Sequence, residues 1–373
     1  MNNTPLNIGS LDDLVQQTDS ITARYKLYNG EIELLYDDDE HTYCTEVDGE
    51  RIPAYGVTSV TGCADKPALK PWVAKETVED LRRKIRPYLV KSELSELIQI
   101  SPEQFEKLLT EAKAAYKNIS QKALDVGHIA HEFIEDYLKA HIKHGVNNPE
   151  PFVPTELLDG VTERILRAVP EDEPERESKI EQCIRAIDGG VKWLKAHNFR
   201  PIKAEYKLYS RDYNFAGTTD AKGHMDSCSD PECCKFQFKD WLVIADWKSS
   251  RDFYIEYRYQ ASAYNQADYE ESGDVKDANV VVILGKYDGI VRGFIIPASD
   301  QADDFGAFLG LLAFYERGET LGTIERLHKQ IAKADKKAAK EAQKASEKAA
   351  KVAERLRKKA EKTAKKPKKE LVQ

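Results

Sequence analysis

The sequence predicts a mixed α/β fold: a central mixed β-sheet flanked by helices, with a long basic C-terminal helix after it. Three observations predict this. Short runs such as RYKLYNGEIELLYD, LVIADWK and ANVVVILGK read as strands, the first alternating in polarity. Stretches with apolar residues at helical spacing stand between them, at about 71–86, 102–117, 120–143 and 178–197. Residues 322–362 are mostly Ala, Lys, Glu and Arg with scarcely an apolar face, and opposite charges such as Lys337 and Glu341 fall at i,i+4. Strands interleaved with helices argue for layers, and against a bundle or a sandwich.

Taken in order, residues 1–22 read as a weakly ordered lead or a short helix. Two strands over 24–37 turn at Asn29-Gly30, a pair that favours positive φ, and HTYCTEV adds another. The helical region follows, with the polar loop PEDEPERE before its last helix and Ser178 as the expected N-cap. Strands around Glu205, Asp220 and Asp246 come next, then a helix over about 260–271. ANVVVILGK and GIVRGFIIP form two more strands joined through Asp288-Gly289, and a helix over 298–317 closes the body. The expected organisation is a lead (1–22), a body (23–320, with a helical region at 71–197 and a core at 200–297) and a tail (321–373).

The chain of 373 residues is long enough to bury a large core. No apolar run approaches the roughly 18 residues of a membrane span, and the first residues lack the regions of a signal peptide, so a cytoplasmic protein without membrane contact is expected. Six scattered cysteines are too few for a disulfide scaffold and suit thiols or a metal site. The total charge of −8 is unevenly spread: from Lys329 onward 17 Lys and Arg stand against 6 Asp and Glu, a net of +11, which leaves −19 on the preceding residues. A body of that sign does not draw in a polyanion by its bulk field, so contact with nucleic acid would need local basic groups or bound cations. The basic tail is a solvated helix or a loose DNA-binding arm, two compatible roles.

The chemistry-bearing residues occur in a fixed order. Asp246 and Lys248 end an apolar strand two residues apart, hence on one face; a carboxylate there can hold a divalent cation while the ammonium steadies or deprotonates a water, as phosphodiester hydrolysis requires. Asp220 closes Gly217-Thr-Thr-Asp220 on the strand before it, and Glu205 opens AEYKLYS. Gln260 and Tyr264 share a helix face at i,i+4, where an amide and a phenol can orient a lysine or a phosphate oxygen. His131 and Glu135 are also i,i+4 on DVGHIAHEFIEDYL, after Gly127, and suit a metal or metal-adjacent role; His128, one turn away, reads as structural.

The array G-x-x-x-H-x-x-x-E, E, G-T-x-D, D-x-K, Q-x-x-x-Y resembles the RecB-type branch of the PD-(D/E)xK nuclease superfamily, in particular phage-encoded exonuclease-like proteins. HTYCTEVDGERIPAYGVTSVTG and KPALKPWVAKE are similar to the region ahead of the histidine helix in those proteins, and the resemblance spans roughly 37–297. It implies a restriction-endonuclease-like core and a Mg²⁺- or Mn²⁺-dependent deoxyribonuclease, an exonuclease of phage-type replication, recombination or degradation. By that resemblance Asp220, Asp246 and the carbonyl of Trp247, with Glu205 or His131, hold the cation, Lys248 acts on the nucleophile, and Gln260 and Tyr264 support it. DNA is the implied substrate, and a recombination or single-strand-annealing protein the implied protein partner. An endonuclease of the same fold and a non-cleaving nucleic-acid-binding protein are the alternatives. A zinc hydrolase acting through HIAHEFIE is disfavoured, since Glu135 stands where H-E-x-x-H needs its second histidine.

One cluster departs from the family pattern. CSDPECC places Cys228, Cys233 and Cys234 between Asp220 and Asp246, with His224 just before, and no cysteine follows Cys234. An iron–sulfur cluster of the kind such relatives carry is therefore not expected. A structural zinc on a hairpin insert, with His224 as fourth ligand, and free thiols in an exposed loop are the two readings.

Overall fold

The computed structural model describes residues 23–47, 50–64, 69–91, 96–98, 100–147, 160–171, 175–230 and 233–364, with 158 and 173. The expected lead over 1–22 and the end of the tail from 365 onward lie outside the described residues. The chain divides into two units, Met1–Leu312 and Ala313–Gln373, so the boundary falls slightly ahead of the expected 320/321.

Strands β1 (Ala23–Leu27), β2 (Ile32–Asp37), β3 (Thr42–Val47) and β4 (Glu50–Gly56) form an antiparallel meander. Its first turn carries Asn29 at φ +57° and Gly30 at φ +90°, as the Asn-Gly pair predicts. After α1 (Val57–Thr61) and α2 (Leu69–Ile85), a short hairpin of β5 (Leu89–Lys91) and β6 (Glu96–Ile98) leads to α3 (Pro102–Asn147). The two helices expected over 102–117 and 120–143 are this single helix, since no Gly or Pro stands between them to break it. The short α4 (Val161–Ala168) precedes α5 (Arg176–Ala196), whose N-cap is Glu175 at φ +60°; Ser178 lies inside the first turn.

The core strands follow: β7 (Arg200–Ser210), β8 (Phe215–Met225) and β9 (Trp241–Lys248), then α6 (Glu256–Ser272), β10 (Ala278–Ile283) and β11 (Arg292–Pro297). They join the meander in one nine-stranded mixed sheet of order β1-β2-β3-β4-β8-β9-β10-β11, with β7 on the other edge of β8. The β4–β8 and β9–β10 pairs are parallel; the rest are antiparallel.

Helices cover both faces. Val280 and Val282 of β10, with Val243, Ala245 and Trp247 of β9, pack under Phe133, Ile134 and Leu138 of α3 and Val191 and Leu194 of α5. Val281 and Ile283 pack on the opposite face with Ala261 of α6, which is why residues 280–283 are apolar without alternation. By the same period of two, Asp246 and Lys248 leave β9 on the α6 side. The last helix, α7 (Gln301–Ala364), starts in the first unit, where Phe305 packs tilted and Phe308 edge-on against Phe215. From Ala313 on, its described side chains are mostly exposed. Among the described residues no helix is long and apolar enough to cross a membrane.

A buried ion cluster fixes α6 to the sheet. Asp268, fully buried, pairs with Lys222 of β8 at 2.7 Å and with Lys276, and accepts a hydrogen bond from Tyr206 Oη at 3.0 Å. The two lysines hold its carboxyl below the usual range against the opposing effect of burial. Removing one partner of such a cluster leaves uncompensated buried charge, which costs about 3–5 kcal/mol. Asp268→Asn is therefore expected to lower stability by about that amount in urea denaturation; a loss below about 1 kcal/mol, the range of an exposed pair, would show that the cluster does not hold α6 in place.

Candidate active site at the end of strand β9

Strands β8 and β9 pair from Met225↔Trp241 to Ala221↔Ala245 and then part. Beyond that point the Asp220 carboxylate replaces the ladder: the backbone N–H of Trp247 donates to Asp220 Oδ2 at 2.6 Å. The other oxygen, Oδ1, lies 3.4 Å from His131 Nδ1 on α3. Asp246 and Lys248 project beside this opening, with Lys248 Nζ 2.5 Å from Asp246 Oδ2. Lys248 Nζ donates to Gln260 Oε1 at 2.9 Å, and Gln260 Nε2 donates to Tyr264 Oη at 2.7 Å. Nζ also sits 5.1 Å from the Tyr257 ring centre.

Two glycines make the approach of the helices possible. A Cβ on Gly127 would stand 2.5 Å from Ser249 Oγ, so its absence lets α3 close on the end of β9. A Cβ on Gly217 would stand 2.6 Å from a Tyr264 ring carbon, so its absence admits Tyr264 against β8. The G-x-x-x-H and G-T-x-D spacings are thus clearances for the helices that carry His131 and Tyr264.

Glu205 faces the same centre. The flanking pairs Ala204↔Ala221 and Tyr206↔Thr219 put it opposite Asp220, and its φ of +44° is in the left-handed region that a side chain rarely adopts. Glu135 lies near enough to act on it electrostatically while pairing with Lys139. Lys207, two residues on, was not singled out from the sequence, although the period of two that links Asp246 to Lys248 also links Glu205 to Lys207. Its Nζ donates to Thr218 Oγ1 at 2.7 Å and lies 4.4 Å from the Tyr36 ring centre. His128 is on the outer face of α3 with Glu132 at 3.1 Å, away from these groups.

The carboxyls are driven apart in acidity. Burial alone would raise Asp220, but His131, Lys248 and the Trp247 N–H hold it below the usual range. Burial, with the charge of Asp220 added and Lys248 opposing, pushes Asp246 up to about 6. Burial and Asp220 push Glu205 up to about 7. Asp246 Oδ2 is buried and is paired with the Lys248 ammonium. Lys248 is held above its usual value by Asp246 and Asp220 despite burial.

The cysteine segment lies elsewhere. His197, Cys228, Cys233 and Cys234 bring their ligand atoms within 4.8 Å of one another, the one such group among the described residues, and could hold a metal such as zinc. The fourth member is His197, at the end of α5, and His224 is not in the group; its Nδ1 lies 3.2 Å from both the carbonyl oxygen and the carboxylate of Asp240. Strand geometry explains the correction, since His224 is committed to the β8–β9 ladder opposite Leu242. Among known proteins, no family model and no curated protein matches the chain.

The raised Glu205 carboxyl carries a consequence for stability. Its folded-state pKa of about 7 lies above the ordinary 4.5, so its contribution is present in acid and is lost as pH rises through about 7. In protein dialysed free of Mg²⁺ and Mn²⁺, Glu205→Gln is expected to raise the melting temperature at pH 8 by about 2–4 °C, with no gain at pH 4. The same melting behaviour as wild type at both pH values would show that the carboxylate is not strained.

Proposed function

We propose that the protein is a metal-dependent deoxyribonuclease, an exonuclease that hydrolyses phosphodiester bonds in DNA replication, recombination or degradation of the phage type. The observation that supports this most is the convergence at one strand end of His131, Asp220, Asp246, Lys248, Gln260 and Tyr264, linked contact to contact. The resemblance of the same residues to the PD-(D/E)xK array supports it independently of the geometry.

The donor types suit a hard divalent cation such as Mg²⁺ or Mn²⁺: carboxylate and carbonyl oxygens beside an opening between two strands. Asp220 and Asp246 would hold it, with the Trp247 carbonyl and either Glu205 or His131. Bound there, the cation supplies Lewis acidity toward a phosphate oxygen. The residues of the chain do the rest. Lys248, kept protonated by its carboxylates, orients the attacking water and offsets negative charge as it develops on the phosphate. Gln260 holds the ammonium in place by accepting its hydrogen bond, and Tyr264 fixes the amide in turn. His131 keeps one oxygen of Asp220 engaged while Trp247 N–H engages the other. The acidic body favours action at ends, since internal duplex gains little from its bulk field.

Purified protein with Mg²⁺ or Mn²⁺, offered end-labelled linear, nicked and closed circular DNA, tests the reading. Linear DNA should be degraded and closed circles left intact; rapid linearisation of the circles would make the enzyme an endonuclease, and no cleavage of any form would leave a binding protein. Asp246→Ala and Lys248→Ala should each lower turnover by about 10²–10⁴-fold with an unchanged circular dichroism spectrum. Activity within a few-fold of wild type in either would reject the assignment.

The supporting residues have a separate signature. Gln260→Ala should lower turnover by about 10²-fold, the scale of a misplaced catalytic group, without altering Mn²⁺ affinity by calorimetry. Equal turnover would return Gln260 and Tyr264 to an ordinary polar helix face.

A further inference from the structure

The loop from the end of β8 to the start of β9 brings three sulfurs to one nitrogen. Cys228 Sγ and Cys234 Sγ are 3.4 Å apart, and His197 Nε2 lies 3.5 Å from both Cys233 Sγ and Cys234 Sγ. An ion bound tetrahedrally at about 2.3 Å from sulfur and 2.0–2.1 Å from nitrogen sets S and N about 3.5 Å apart and two sulfurs about 3.8 Å apart. The four atoms stand close to those separations. His197 is oriented for the role, because its Nδ1 is 2.8 Å from the Trp193 carbonyl oxygen, which fixes the proton on Nδ1 and leaves the Nε2 lone pair toward the sulfurs. Its ring stacks on Trp193 at 4.2 Å. The backbone N–H of Cys228 donates to Cys234 Sγ at 3.3 Å, and those of Cys233 and Cys234 both donate to the Asp230 carbonyl, so the chain is turned around the sulfurs.

We propose that His197, Cys228, Cys233 and Cys234 bind one structural zinc ion that staples the β8–β9 loop to the C-terminal end of α5. Four protein ligands close the coordination sphere, so the ion holds structure and does no chemistry. As it binds, the three thiols release their protons to solvent and each sulfur forms a bond to zinc, while His197 binds neutral. The site is separate from the candidate active site: Trp241 and Asp246 lie five positions apart on β9, about 16 Å at 3.3 Å per residue. Thiolate sulfur and imidazole select zinc over the hard cations proposed for the carboxylates.

The test measures metals in the full-length protein, purified without added metal or chelator, by inductively coupled plasma mass spectrometry. About one zinc per chain is expected. Cys233→Ser and Cys234→Ser should each lower zinc content at least about tenfold, His224→Ala should keep it, and His197→Cys, which makes a four-cysteine set, should keep it too. Co²⁺ exchanged into wild-type protein should give the intense visible bands of a tetrahedral thiolate site, a readout that stands even if a variant fails to fold. Reduced wild-type protein that takes up neither Zn²⁺ nor Co²⁺, a Cys228–Cys234 disulfide without zinc, iron in place of zinc, or full zinc content in Cys233→Ser would overturn the proposal.

Discussion

The candidate site depends on one backbone N–H that the sheet leaves without a strand partner. After Ala221↔Ala245 the β8–β9 ladder stops, yet Trp247 is buried and its N–H must still find an acceptor. Asp220 supplies it with a side-chain oxygen, and that bond fixes where the carboxylate stands. β9 stays straight through the gap because its other edge remains zipped in parallel to β10, with Val281 beside Asp246 and Ile283 beside Lys248. The opening is therefore built from rigid strand, which gives Asp246 and Lys248 fixed directions that a loop would not.

Two carboxylate clusters lie against α6, and the acidities of their carboxyls tell them apart. Around Asp268 the oxygens are occupied by Lys222, Lys276, Tyr206 and Ser272, and the acid is held in its charged form. That is a structural anchor. Around Asp246 one carboxyl is pushed down while two are pushed up, and Glu205 sits in a rare backbone conformation opposite Asp220. Strain and opposed acidities of this kind are tolerated where they serve a ligand or a reaction, and they subtract from stability.

Much of this was legible because it follows from short periods. A period of two puts Asp246 and Lys248 on one face, and i,i+4 spacing puts Gln260 above Tyr264; the structure brings all four together. The same rule applied to Glu205 would have found Lys207. The fourth member of the sulfur cluster was not legible, because His197 reaches it from a helix end more than thirty residues before Cys233. Sequence proximity favoured His224, which the ladder turns toward Asp240. β4, α1, α4 and the β5–β6 hairpin were also unread: Pro53 and Gly56 in β4 weaken its strand signal, and elements of three to eight residues are too short for a periodicity to emerge.

The far end of β8 and β9 explains why the His197 and cysteine group there bears on a site several residues away. A two-residue turn sets the register of its hairpin, but the long connection over 226–240 does not. Register must come from contacts within the loop. Asp226 accepts the Asp240 N–H at 2.9 Å, Arg200 of β7 bridges Asp226 and Asp240, and Ser227 pairs with Phe238. The His197 and cysteine group ties the next residues to α5. A slip of one residue between β8 and β9 would turn Asp246 and Lys248 from the α6 face to the α3 face and carry the Trp247 N–H away from Asp220. The loop thus holds, from the closed end of the strand pair, the alignment on which the parted end depends.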